Sequence, residues 1–61
     1  MVECIVKILM KKFNIPRDVA ALFFYDVYTR KKVGHLLENM DNFKTFEELK
    51  NYYLGGTENE L

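Results

Sequence analysis

A single histidine, a single cysteine and one dense basic run are the residues of this chain best able to do chemistry. A catalytic histidine needs an orienting carboxylate and a nucleophile or substrate within reach. At helical spacing the neighbours of His35 are Lys32, Glu38 and Asn39, so His35 with Glu38 is the one acid–base pairing on offer. A boundary histidine on a short helix is the plainer reading, because the other ingredients of a site are missing. Cys4, one turn from the N-terminus, sits where a helix dipole can activate a thiol. A lone cysteine more commonly packs as a small hydrophobe, and Cys4 is expected to be buried. Glu47 and Glu48 are adjacent acids, but they belong to a helix start. There is no glycine-rich phosphate loop and no nucleophile elbow. One His and one Cys, 31 positions apart, give no zinc-type spacing. The expectation is a chain with no catalytic, metal-binding or cofactor-binding residue and no cofactor, and not an enzyme.

The run Arg30, Lys31 and Lys32, joined by His35 and Arg17, is the candidate contact for an anion or a nucleic acid. A helix-turn-helix reading places the run at the start of a recognition helix over residues 33–40. Against it, that helix presents Glu38 and Asn39 with few base-reading side chains, and the formal net charge is zero, where nucleic-acid-binding domains usually carry a basic footprint. The charge is unevenly spread. Residues 1–32 hold seven Lys and Arg against three acids, and residues 33–61 hold two against six.

The elements that must position these residues read as helices. Val2, Ile5, Val6, Leu9 and Phe13 fall on one helical stripe, with Glu3 and Lys7 in the favourable i,i+4 order. An amphipathic helix bearing lysines can also lie on a membrane surface. Covering a core with its polar face in solvent is the commoner use. Asn14-Ile15-Pro16 separates this helix from the next, with Asn14 as the expected N-cap and Asp18 in the first turn. The second helix is expected over residues 16–28, with Asp26 and Arg30 as an i,i+4 ion pair. Residues 16–40 read either as one long helix with a weak point or as two helices; Thr29 to Lys32 and Gly34 weaken helix, so a break or kink is expected before a third helix over residues 33–40. Thr45-Phe46-Glu47-Glu48 is a capping box that starts a fourth helix over residues 46–54, with Phe46, Leu49 and Tyr53 inward. Gly55-Gly56 ends it, and residues 55–61 form an acidic tail expected to be disordered.

The stretch Val19-Ala20-Ala21-Leu22-Phe23-Phe24-Tyr25 organises the rest. It is far short of the ~20 apolar residues needed to span a bilayer. A helix that is apolar on more than one side must be covered on more than one side. In 61 residues that cover comes from the flanking helices, from a second copy or from another protein. A domain this small buries only ~60% of its unfolded surface and usually needs reinforcement. With one cysteine no internal disulfide can supply it. The reading is therefore an all-α bundle of three to four helices around the helix at residues 16–28. It self-associates or binds a protein partner through Ala21, Phe24, Tyr25 and Tyr28. A small DNA-binding regulator using residues 30–32 is the alternative. No leader peptide is visible, and a cytoplasmic protein is expected.

The run Leu9-Met10-Lys11-Lys12-Phe13-Asn14-Ile15, the apolar helix with Phe24-Tyr25 near its end, Leu36-Leu37-Glu38 and the short closing helix resemble short, uncharacterised all-helical bacterial proteins. Some of those are antitoxin-like and lie beside toxin genes. The resemblance is one of pattern over residues 9–54. It implies a partner-binding or accessory role and assigns no functional residue.

Overall fold

The computed structural model describes residues 2–55, and its architecture is all-α. Helix α1 spans Val2–Phe13, α2 spans Arg17–Thr29, α3 spans Val33–Asn39 and α4 spans Phe46–Lys50. A 3₁₀ turn at Met40–Asn42 follows α3, and a wider π-type turn at Asn51–Gly55 extends α4. Apart from Gly55, the acidic tail lies outside the described residues. The break expected between the second and third helices is present, at Arg30 to Lys32.

Two of the helix ends are set by non-glycine residues in the left-handed region. Asn14 has φ 56°, and beyond it the Ile15 amide donates to the Met10 carbonyl at 3.3 Å. Asn14 thus closes α1 and does not cap α2, because asparagine tolerates the left-handed conformation that a helix end requires. Pro16, in extended conformation, occupies the N-cap position of α2 with no side-chain cap bond. Its carbonyl accepts the first helical bond from Ala20 at 3.0 Å. Lys31 closes α2 in the same manner with φ 58°. The Lys31 amide reaches Tyr28 O at 2.9 Å and the Lys32 amide reaches Val27 O at 3.1 Å, the paired bonds of a Schellman motif.

The capping box forms on one side as read: the Glu48 amide donates to Thr45 Oγ1 at 3.2 Å. The returning Glu48 carboxylate accepts from the Lys44 amide at 3.0 Å, one residue further back than the N-cap.

The core gathers one stripe from each helix. Ile5, Val6 and Leu9 come from α1, Ala20, Phe23, Phe24 and Val27 from α2, Leu36 from α3 and Leu49 from α4, with Met40 and Tyr53 from the turns. Ala20 is fully buried. Aromatic rings tie the elements together: Phe23 meets Phe46 edge-on at 5.3 Å, and Phe46 lies 6.1 Å from Phe13. Such pairs add about 0.5–1.5 kcal/mol each beyond burial. At the surface, Arg17 grips the Glu3 carboxylate with both terminal nitrogens, one at 2.7 Å, and Lys12 meets Asp41 at 2.8 Å. Glu3 therefore pairs across to α2 and not with Lys7 along its own helix. The Arg17 hydrogen bond holds its carboxyl below the usual range.

Two expectations about packing fail. Cys4 is exposed, because the buried stripe of α1 runs through Ile5, Val6 and Leu9 and leaves position 4 to the side. Phe24, expected at the interface, turns inward with Ala20, Phe23 and Val27, while Val19 and Leu22 of the same apolar stretch are left exposed.

Candidate functional site

Asp18, Ala21, Leu22, Tyr25 and Tyr28, linked by three- and four-residue spacings such as 18/22, 21/25 and 25/28, share the outer side of α2, the face its flanking helices do not cover. Leu22, Tyr25 and Tyr28 are 69%, 63% and 60% exposed. Of the four residues expected at an interface, Ala21 is half-buried and Tyr25 and Tyr28 stand out as the sequence suggests. Phe24 is the correction: at 6% exposure it belongs to the core and cannot be an outward anchor. The four are nonetheless brought together. With Val6 of α1 they line a groove of about 470 Å³, in which Phe24 is floor and the tyrosines are walls. Phe24 and Tyr28 stack at 6.1 Å with ring planes 28° apart. Tyr28 is also a wall of a second concavity, about 540 Å³, running over Thr29, Lys31, Val33 and Gly34. Val6 was missed because nothing local in the sequence says which neighbour lies beside α2.

The basic run is split by the left-handed turn at Lys31. Arg30, Lys31 and Lys32 are all exposed, but Lys31 borders the Tyr28–Val33 concavity. Arg30 and Lys32 line a different cleft of about 290 Å³ with His35, Tyr52 and Tyr53. Arg17 does not join them: it is engaged with Glu3 at the opposite end of α2. Asp26 and Arg30 form no ion pair; Asp26 instead offers its carbonyl to the Arg30 amide at 3.2 Å and to the Thr29 hydroxyl at 2.8 Å.

His35 does not pair with Glu38. Its Nδ1 lies 2.6 Å from the Tyr53 hydroxyl, and its ring is nearly parallel to Tyr52, with centroids 6.1 Å apart. Tyr52 and Tyr53 meet edge-on at 4.9 Å. Tyr53 is 8% exposed; burial, aided by repulsion from the neighbouring Tyr52, holds its phenol above the usual tyrosine range. The hydroxyl therefore stays protonated at neutral pH. The π-type turn at Asn51–Gly55 carries both tyrosines to this cleft. Sequence reasoning missed the grouping because 18 residues separate His35 from Tyr53.

Among the described residues no three His, Cys, Asp or Glu side chains gather as metal ligands. No described helix is long and apolar enough to cross a membrane. Two surfaces thus stand out: an apolar groove beside α2, and a cationic, aromatic cleft between the α2–α3 turn and the end of α4. Searches of protein-family models, curated proteins and solved structures find no match to the chain.

Proposed function

We propose that the chain is a small protein–protein interaction module that self-associates through the outer face of α2, two copies packing with their α2 helices antiparallel. The observation that carries this reading is the uncovered stripe of Leu22, Tyr25 and Tyr28 beside an apolar groove. Aromatic residues of this kind anchor interfaces. A specific interface buries at least ~1,000 Å² in total, about 500 Å² per copy. Tyr25 and Tyr28, each about three-fifths exposed, bring roughly 180–300 Å² of that between them.

The face is self-complementary in an antiparallel pair. Its N-terminal end carries Asp18, and just past its C-terminal end Lys31 borders the same concavity as Tyr28. Antiparallel pairing that sets Ala21 against Tyr28 of the second copy also sets Asp18 against Lys31, so a small residue meets a large one and an acid meets a base. Antiparallel helix dipoles oppose each other favourably as well. An accessory or antitoxin-like role, in which a different protein takes the place of the second copy, uses the same face.

The test is mass in solution by light scattering from micromolar to hundreds of micromolar. The parent is expected to dimerise across that range, and Tyr25→Asp to remain monomeric with unchanged helicity. Asp18→Lys alone is expected to weaken the dimer, and Asp18→Lys with Lys31→Asp to restore it. A parent that stays monomeric throughout overturns self-association. A Tyr25→Asp variant that dimerises like the parent overturns the choice of face.

A further inference from the structure

The cleft between the α2–α3 turn and the end of α4 has no part in that interface. Its residues converge from three elements: Arg30 and Lys32 from the turn, His35 from α3, and Tyr52 and Tyr53 from the closing turn. We propose that this cleft binds a nucleoside monophosphate, the phosphate held by the two cations and the base laid on Tyr52.

Charge supports the phosphate half. Among the described residues the lining holds a guanidinium and an ammonium and no carboxylate. Arg offers a planar fork suited to two phosphate oxygens, and Lys adds a compact point charge. The deeper wall is polar and already ordered, because the Tyr53 hydroxyl and His35 Nδ1 fix each other at 2.6 Å. That bond leaves Nε2 as the second nitrogen of the imidazole. A preordered wall loses little freedom when a ligand arrives.

The aromatic half is Tyr52, 60% exposed although it lies among His35, Phe43 and Tyr53. These three neighbours hold the ring in place, and its exposed surface is what a flat ligand would meet. Base–aromatic stacking is sequence-tolerant, so the proposal names no particular base. The cleft, about 290 Å³, is on the scale of a mononucleotide. The runner-up ligand, duplex DNA, fits less well. The recognition helix it needs is α3, seven residues long, of which Val33 and Leu36 turn inward.

The experiment is titration of the ¹⁵N-labelled chain with AMP, adenosine and inorganic phosphate at low ionic strength, followed by amide shifts. AMP is expected to perturb residues around 30–35 and 52–53, with a dissociation constant on the order of 0.1–1 mM. Adenosine and phosphate are each expected to bind at least roughly tenfold more weakly, since each satisfies half of the site. Arg30→Ala with Lys32→Ala alters two exposed side chains and should weaken AMP roughly tenfold or more while the helicity stays unchanged. Tyr52→Ala should weaken AMP but leave phosphate alone.

AMP binding no tighter than adenosine, or unchanged in the double variant, overturns the proposal. So do shifts centred elsewhere. Repeating the titration on Tyr25→Asp keeps the two readings apart, since loss of self-association there should leave AMP binding intact.

Discussion

Replacing Phe24 by Ala separates the core of α2 from its outer face. Phe24 and Tyr25 are neighbours of similar size, yet one is 6% and the other 63% exposed. Phe→Ala in a core costs about 3–5 kcal/mol through lost burial and the cavity left behind. Phe24 also floors an open groove, so water can enter the space it vacates, and the lower end, about 3 kcal/mol, is expected. A 61-residue chain is worth only about 3–9 kcal/mol in all. Phe24→Ala should therefore leave it marginal or unfolded. Tyr25→Ala, a surface change, should stay within about 0.5 kcal/mol of the parent when monomeric. The assay is urea unfolding followed by circular dichroism at low micromolar concentration. With a slope near 1 kcal/mol/M for a small chain, the midpoint for Phe24→Ala should fall by about 3 M or vanish. A loss below about 1 kcal/mol, or equal losses for the two variants, would refute the assignment of Phe24 to the inward stripe.

The backbone offers a second prediction. A Cβ on Gly34 meets nothing within 4 Å, and Gly34 lies in the first turn of α3. Gly34→Ala should therefore add about 0.5 kcal/mol and raise the melting temperature by about 2–4 °C. Lys31→Gly, relieving a side chain at φ 58°, should add up to about 1 kcal/mol, and loss of stability at either position would count against these helix ends.

Stability should also fall at both extremes of pH. Tyr53 has a folded pKa above its unfolded value near ~10, so its contribution is complete below that value and is lost as pH rises through the folded one. Tyr53→Phe should flatten the alkaline limb in pH-dependent urea titrations and cost about 1 kcal/mol at neutral pH for the missing bond to His35. Glu3, held low by Arg17, contributes above the ordinary glutamate range and loses that contribution as pH falls, so Glu3→Gln should flatten the acid limb. An unchanged limb in either variant would assign that slope to other groups.

The sequence by itself determined what depends on near neighbours. The all-α class, the inward positions Ile5, Val6 and Leu9 of α1 and Leu49 of α4, the interruption at residues 30–32 and the Thr45 cap all follow from spacing within a turn or two of helix. The chemistry of Arg30 and Lys32 was visible too, as charge. What only the tertiary structure decided is which side of α2 its neighbours would take. Seven successive apolar residues carry no periodicity, so inward and outward positions could not be told apart until the other elements had covered Ala20, Phe23, Phe24 and Val27. The end of α1 is a local case that misled, since an asparagine between two helices serves equally as a cap or as a left-handed stop. The cleft of His35, Tyr52 and Tyr53 was out of reach of any local pattern. It exists because the chain turns back between α3 and α4, and contacts across 18 residues depend on packing and not on spacing.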